Sequence, residues 1–229
     1  MSDLLNNPEI QRLLLLTKDG LLFAVWETLY TTVIATAFAY VIGLPLGVLM
    51  VAGEQGGVMP LPRPVMAVLN FVINILRSVP FLILMVLVIP LSRLIIGTSI
   101  GTVATIIPLI VAAFPFVARL VEASIREVDK GVVEAAQSMG ASNLQIVWKV
   151  YLPEAVPSLI LGASISIITL LGYTAIAGAV GAGGLGDFAI RYGHDRNMLD
   201  VTNVTVLVLV IIVCIMEFVG GKVVKKNTH

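Results

Sequence analysis

The chain has 229 residues and a mass of 24.4 kDa, with 58% hydrophobic residues, 12% charged residues and a mean hydropathy of +1.02. That is more apolar surface than one water-soluble core can hide, and the chain reads as an all-α integral membrane protein. Fourteen Lys and Arg balance fourteen Asp and Glu, so no basic excess is available for nucleic-acid phosphates, and nucleic acid is excluded as a partner. The single cysteine, Cys214, and the two distant histidines, His194 and His229, exclude a disulfide framework and supply no metal-binding set.

A helix needs roughly 20 apolar residues to cross about 30 Å of hydrocarbon. Near the amino terminus, Leu13 to Leu16 is too short for a signal-peptide core and is closed by Lys18 and Asp19. Residues 9–19 therefore read as an interfacial helix, and no cleaved signal peptide is expected. Five spans come next, expected at about residues 22–52, 65–92, 95–120, 156–181 and 201–221. The stretches between Glu27 and Glu54, Arg93 and Arg119, and Glu154 and Asp187 carry no Lys, Arg, Asp or Glu. The second span contains Arg77, which would cost about 2.5 to 3.5 kcal/mol at a helix centre and so belongs at the interface, in water or against acceptors. Glu217, in the fifth, lies close enough to its end to reach the headgroups beside Lys222.

Five spans place the termini on opposite sides. With the amino terminus outside, the inner segments hold Arg63, Arg77, Arg119, Arg126, Lys130, Lys149, Lys222, Lys225 and Lys226, and the outer ones Arg12, Lys18, Arg93, Arg191 and Arg196. This balance favours an external amino terminus and a cytoplasmic Lys-Lys tail. No long linker or fixed-period repeat divides the chain, so residues 1–229 are expected to form one membrane domain. Gly43 with Gly47, and Gly97 with Gly101, are GxxxG steps that let helices approach closely or act as hinges. Pro45, Pro80, Pro108 and Pro115 are expected to kink their helices.

Between the third and fourth spans, the segment at about 121–155 turns charged and amphipathic. Asp129 can cap a short helix running through Val132, Val133, Ala135, Ala136 and Met139, with Gly140 ending it in a left-handed conformation. Ser142 and Gln145 then fit a capping box that opens a second short helix, which Pro153 is expected to stop. The result is a helical elbow at a glycine corner. Taken alone, it is either a link between spans or a docking surface.

Further along, Gly162, Ser166, Thr169 and Tyr173 recur at helical spacing on the fourth span. That polar face serves either interhelical hydrogen bonding or a passage for a zwitterionic amino acid. Asn70 and Asn74 form another pair on one face, read as packing. Gly181, Gly183 and Gly186 satisfy G-x-G-x-x-G, but no βαβ unit surrounds them, so a flexible loop near an external gate is expected instead of a dinucleotide site. No G-x-x-x-x-G-K-[ST] phosphate loop occurs.

The run Glu134-Ala135-Ala136-Gln137-Ser138-Met139-Gly140-Ala141, with Leu152-Pro153 after it, resembles the EAA loop of ABC importer permeases. Trp26-Glu27-Thr28-Leu29, Arg77-Ser78-Val79-Pro80-Phe81, Pro90 with Gly97 to Gly101, and Gly178 to Gly186, including Gly184, are similar to the methionine-uptake permeases of that class. The resemblance implies a five-span type I importer permease whose elbow is a coupling helix. Glu134, Ala135, Ala136, Met139, Gly140, Ala141, Leu152 and Pro153 would then engage an ATP-binding cassette ATPase subunit. It also implies a homodimer, an external substrate-binding protein, a glycine segment (Gly181, Gly183, Gly184, Gly186) that serves as gate or binding-protein contact, a bacterial inner-membrane location, and methionine in its L and D forms and close derivatives as substrate, the alternative within the class being another amino acid or small molecule. The chain would be a transport subunit without a cofactor of its own, ATP and magnesium being held by the ATPase partner. The other class of reading is an ion-gradient-driven secondary transporter, whose signature would be intramembrane carboxylates or inverted repeats.

Overall fold

The computed structural model describes residues 20–227, and the expected interfacial helix at residues 9–19 lies outside them. The described residues form α1 (Leu21–Ala52), α2 (Arg63–Ser78), α3 (Phe81–Ile96), α4 (Thr102–Arg126), α5 (Lys130–Ser138), α6 (Asn143–Ile146), α7 (Leu152–Ala177), α8 (Gly184–Phe188) and α9 (Leu199–Asn227). π-Helical turns occupy Val147–Tyr151 and Ala189–His194, and Gly178–Val180 is a 3-10 turn. Four stretches are long and apolar enough to span a membrane on their own, and α2 with α3 makes a fifth if the broken pair counts as one crossing.

That break, a bend of 110°, falls inside the span expected at 65–92. Val79 is extended at φ −81 and ψ 127, as a residue preceding proline prefers, and Pro80 lacks the N–H that would continue the helix. Pro45, Pro108 and Pro115 instead lie inside helices that run through them. The third span also shifts. It starts at Thr102 and continues to Arg126, so the helix enters the segment expected to be a loop from residue 121. Gly97 and Gly101 are turn residues at φ +87 and +92, with nothing within 4 Å of a Cβ built on either. They provide backbone freedom and not a packing step.

Pro153 does not stop its helix. α6 passes through the π turn into α7, forming one apolar stretch over Asn143–Val180. Within that turn the Leu152 N–H donates to the Val147 carbonyl, five residues back. The ladder has thus already changed register where proline removes a donor, and the first turn of α7 accommodates the ring.

The described residues fall into two compact units, and α1, α4, α7 and α9 contribute to both. The first draws on residues 20–36, Phe81–Ile110 and Ile167–Glu217. Its core joins Leu21, Ala24, Leu185, Phe188, Tyr192 and Val201, and a second cluster joins Met85, Ala177 and Ala182. Along α1, Thr28, Thr32 and Thr36 are buried, and their hydroxyls donate to the carbonyls four residues earlier. Buried polar atoms are thereby satisfied without leaving the helix.

The second unit draws on Ala37–Pro80, Val111–Ser166 and residues 218–227. Here α1 and α4 meet backbone to backbone. A Cβ at Gly43 would lie 2.8 Å from the Phe114 carbonyl oxygen, and one at Gly47 would lie 2.5 Å from that of Ala118. Met50, Ile73 and Ala118 form the cluster beside this crossing. Small residues fix such close crossings because lipid supplies no hydrophobic drive between helices.

Candidate functional site

The elbow is built almost entirely by local bonds within the second unit. Asp129 Oδ1 accepts from the Gly131 N–H at 2.7 Å and the Val132 N–H at 3.3 Å, capping α5. At the other end, the Ala141 N–H donates to the Ala136 carbonyl at 3.0 Å and the Gly140 N–H to that of Gln137 at 2.9 Å. This pair of bonds is a Schellman motif. Gly140 sits at φ +80 with open space around it, so glycine is required there by conformation and not by crowding. The reciprocal box comes directly after it: the Ser142 N–H donates to Gln145 Oε1 at 2.8 Å, and the Gln145 N–H to Ser142 Oγ at 3.4 Å. Two donors at the start of α5, two carbonyls at its end and the first donors around α6 are thus satisfied by bonds that span no more than five residues.

Burial then sorts the expected coupling residues. Ala136 is buried and anchors α5, while Ile146, Val147 and Tyr151 anchor α6 and the π turn. Glu134, Ala135, Gly140 and Pro153 are exposed, and Ala141 and Leu152 are half-buried. Met139 is 82% exposed, and Leu144, Trp148 and Val132 present further apolar surface. Exposed apolar side chains on a polar, sharply capped corner make it a candidate contact surface. Behind it, Glu54, Arg126, Lys130, Glu134 and Gln137 line a cleft of about 500 Å³.

In the first unit, the glycine-rich segment is a tightly built turn and not the flexible loop expected from its composition. A Cβ at Gly178 would lie 2.1 Å from the Asp187 nitrogen, and one at Gly186 would lie 2.2 Å from the Ala175 carbonyl oxygen. Gly181, Gly183 and Gly184 all have φ between +73 and +78. Glu27 Oε2 accepts from the Gly184 N–H at 2.9 Å, and Thr28 Oγ1 from the Leu185 N–H at 2.8 Å. The start of α1 therefore fastens the turn through side chains whose neighbours in sequence give no hint of it.

The four members of the polar face on α7 separate. Gly162 and Ser166 are buried in the second unit, and the Ser166 hydroxyl donates to the Gly162 carbonyl at 2.8 Å. Thr169 and Tyr173 are half-buried in the first unit, where Tyr173 stacks on Phe81 at 4.4 Å between ring centres.

Sequence reasoning misses a charged cluster in the second unit. Arg119 bounds the third expected span, Arg126 counts only among the inner charges, and Asn70 and Asn74 read as packing. All four are bonded into one group with Glu122 and Glu54. The available signal is spacing: Glu122 stands three residues after Arg119 and four before Arg126, so all three share a face. Arg77, by contrast, is exposed in the last turn of α2.

Residues 43–221 match the family described as the binding-protein-dependent transport system inner membrane component. The probable D-methionine transport system permease protein MetI of Vibrio cholerae is 49% identical over 214 residues, covering 93% of this chain and 95% of that protein. The methionine import system permease protein MetP of Bacillus subtilis is 47% identical over 158 residues, 69% of this chain and 71% of that protein. Among solved structures, an inward-facing MetNI methionine ABC transporter chain aligns with a TM-score of 0.91 at 43% identity, covering 97% of this chain and 100% of that one. An amino acid ABC transporter at 20% identity shares the fold, with a TM-score of 0.74 over 90% of this chain and 93% of that one. This chain belongs to the family of binding-protein-dependent transport system inner membrane components.

Proposed function

We propose that the chain is the membrane-spanning permease subunit of an ATP-driven importer for methionine, in its L and D forms and close derivatives. The observation that carries this reading is the elbow. Its self-capped corner with Met139, Val132, Leu144 and Trp148 exposed offers a rigid apolar knob for a separate ATPase subunit, which binds the ATP and magnesium. Glu134, Ala135, Ala136, Met139, Gly140, Ala141, Leu152 and Pro153 form or support that knob. The identity to a D-methionine permease across 93% of the chain, and to a methionine import permease across 69% of it, supports the substrate.

Two copies of the chain would form the path, with an ATPase subunit on each elbow, an external amino terminus and a cytoplasmic carboxy terminus. ATP binding draws the two ATPase subunits together, moves both elbows and biases the permease from an inward-open to an outward-open state. Substrate then enters from an external binding protein, which meets the turn holding Gly181, Gly183, Gly184 and Gly186. The path would run along the α7 face of Gly162, Ser166, Thr169 and Tyr173, of which Thr169 and Tyr173 are half-buried.

The test is uptake of labelled methionine by proteoliposomes containing this chain, its ATPase and its binding protein. Accumulation that requires ATP and the binding protein is the expected result. Hydrolysis without methionine uptake would overturn the substrate, and uptake driven by an ion gradient without ATP would overturn the class.

A further inference from the structure

Glu122 on α4 is 9% exposed, a burial that a carboxylate tolerates only when charged donors surround it. Its Oε2 accepts from Arg119 Nη1 at 2.6 Å, and its Oε1 from Arg126 Nε at 3.2 Å and Nη2 at 3.0 Å. Each guanidinium then reaches off the helix, still within the second unit. Arg126 Nη1 lies 2.9 Å from Glu54 Oε2, just after α1. Arg119 Nη2 donates to Asn70 Oδ1 at 3.0 Å and Asn74 Oδ1 at 2.7 Å, two residues one turn apart on α2.

Neutralising Glu122 would need one arginine. Two are present, and both are shared with acceptors on other elements, which uses the planar fork of the guanidinium to fix direction as well as charge. Arg126 ends α4 just before the Asp129 cap and lines the same cleft as Lys130, Glu134 and Gln137 of α5. The bonded run therefore joins α2 to the last turns of α4, and the chain passes from there through only three residues into α5 of the elbow. Apolar side chains in contact can slide past one another, whereas this run holds specific atoms in register. On α2, Val68, Phe71, Val72 and Ile75 remain exposed, so this chain's own packing leaves that helix uncovered there.

We propose that Arg119, Glu122 and Arg126 are positioning residues of the transport cycle, tying α2 to the elbow so that a displacement imposed on the elbow moves α2. The inference rests on the permease reading above. It goes further by naming the element that receives the motion and the side chains that deliver it.

The test replaces the two acceptors on α2, Asn70→Leu with Asn74→Leu, leaving Glu122, both arginines and the elbow intact. In the complete complex in proteoliposomes, the ATPase should stay bound and keep hydrolysing, while methionine moved per ATP falls about tenfold. Asn70→Asp with Asn74→Asp supplies carboxylate oxygens to the same guanidinium and should restore the ratio. An unchanged ratio in the leucine pair, or an equal loss in the aspartate pair, would overturn the proposal. If the leucine pair does not assemble, Asn74→Leu alone is read on the same ratio, where a smaller fall supports the link and no fall overturns it. Failure of the unsubstituted complex to import methionine would instead overturn the permease reading itself.

Discussion

The elbow and the glycine turn use the same residue for opposite reasons. At Gly140 an added Cβ would meet nothing within 4 Å among the described residues, and glycine is needed there because φ is +80. At Gly178 and Gly186 an added Cβ would run into backbone atoms 2.1 and 2.2 Å away, so glycine is needed because two stretches of chain touch. A glycine that terminates a helix can be read from its neighbours, since the cap residues surround it in sequence. A glycine that admits another backbone cannot, because what it admits lies elsewhere in the chain.

Substitutions should separate the two cases. The largest effect is expected from Gly186→Ala, where the methyl group meets the Ala175 carbonyl and the turn must open. A loss of at least about 3 kcal/mol is expected, seen as failure of the purified protein to hold a monodisperse, folded state in detergent. Gly140→Val should cost less, about 2 kcal/mol for a left-handed residue with a side chain. Its signature is functional: ATP hydrolysis continues while uptake falls, because the corner turns the wrong way. Gly140→Asn should keep most uptake, since asparagine tolerates that conformation. The smallest effect is expected from Ser142→Ala, which removes one half of the capping box for about 1 kcal/mol, measurable as a lowered thermal midpoint with coupling retained. If Gly140→Val proved as damaging to folding as Gly186→Ala, the contrast between conformational and packing glycines would fail.

Much of the elbow is legible in the sequence because its determinants are local. Asp129, Gly140, Ser142 and Gln145 each act on atoms within five residues, and sequence order brings them together. Pro153 misleads for a definite reason: the preceding π turn shifts the hydrogen-bond register, which no residue pattern announces. The long apolar stretches point to α1, α4, α7 and α9 as spans, but the ends move wherever charge is tolerated inside a helix. Arg119 looks like a span boundary and Arg126 like a loop charge because, beyond Glu122 on their own helix, the partners that orient them, Glu54 and the two asparagines, come from other parts of the chain. Glu27 and Thr28 are hidden in the same way, since their partners Gly184 and Leu185 lie 157 residues away.

The central claim is that the exposed face of the elbow is where an ATPase subunit docks. The most direct measurement is co-purification of that subunit with the tagged permease, comparing the unsubstituted chain with Ala135→Arg and Met139→Arg, two exposed positions whose side chains take no part in the corner bonds. The account predicts that the unsubstituted permease retains its ATPase through size-exclusion chromatography, and that both variants remain folded but elute without it. Variants that keep the ATPase at full stoichiometry and import methionine normally would contradict it.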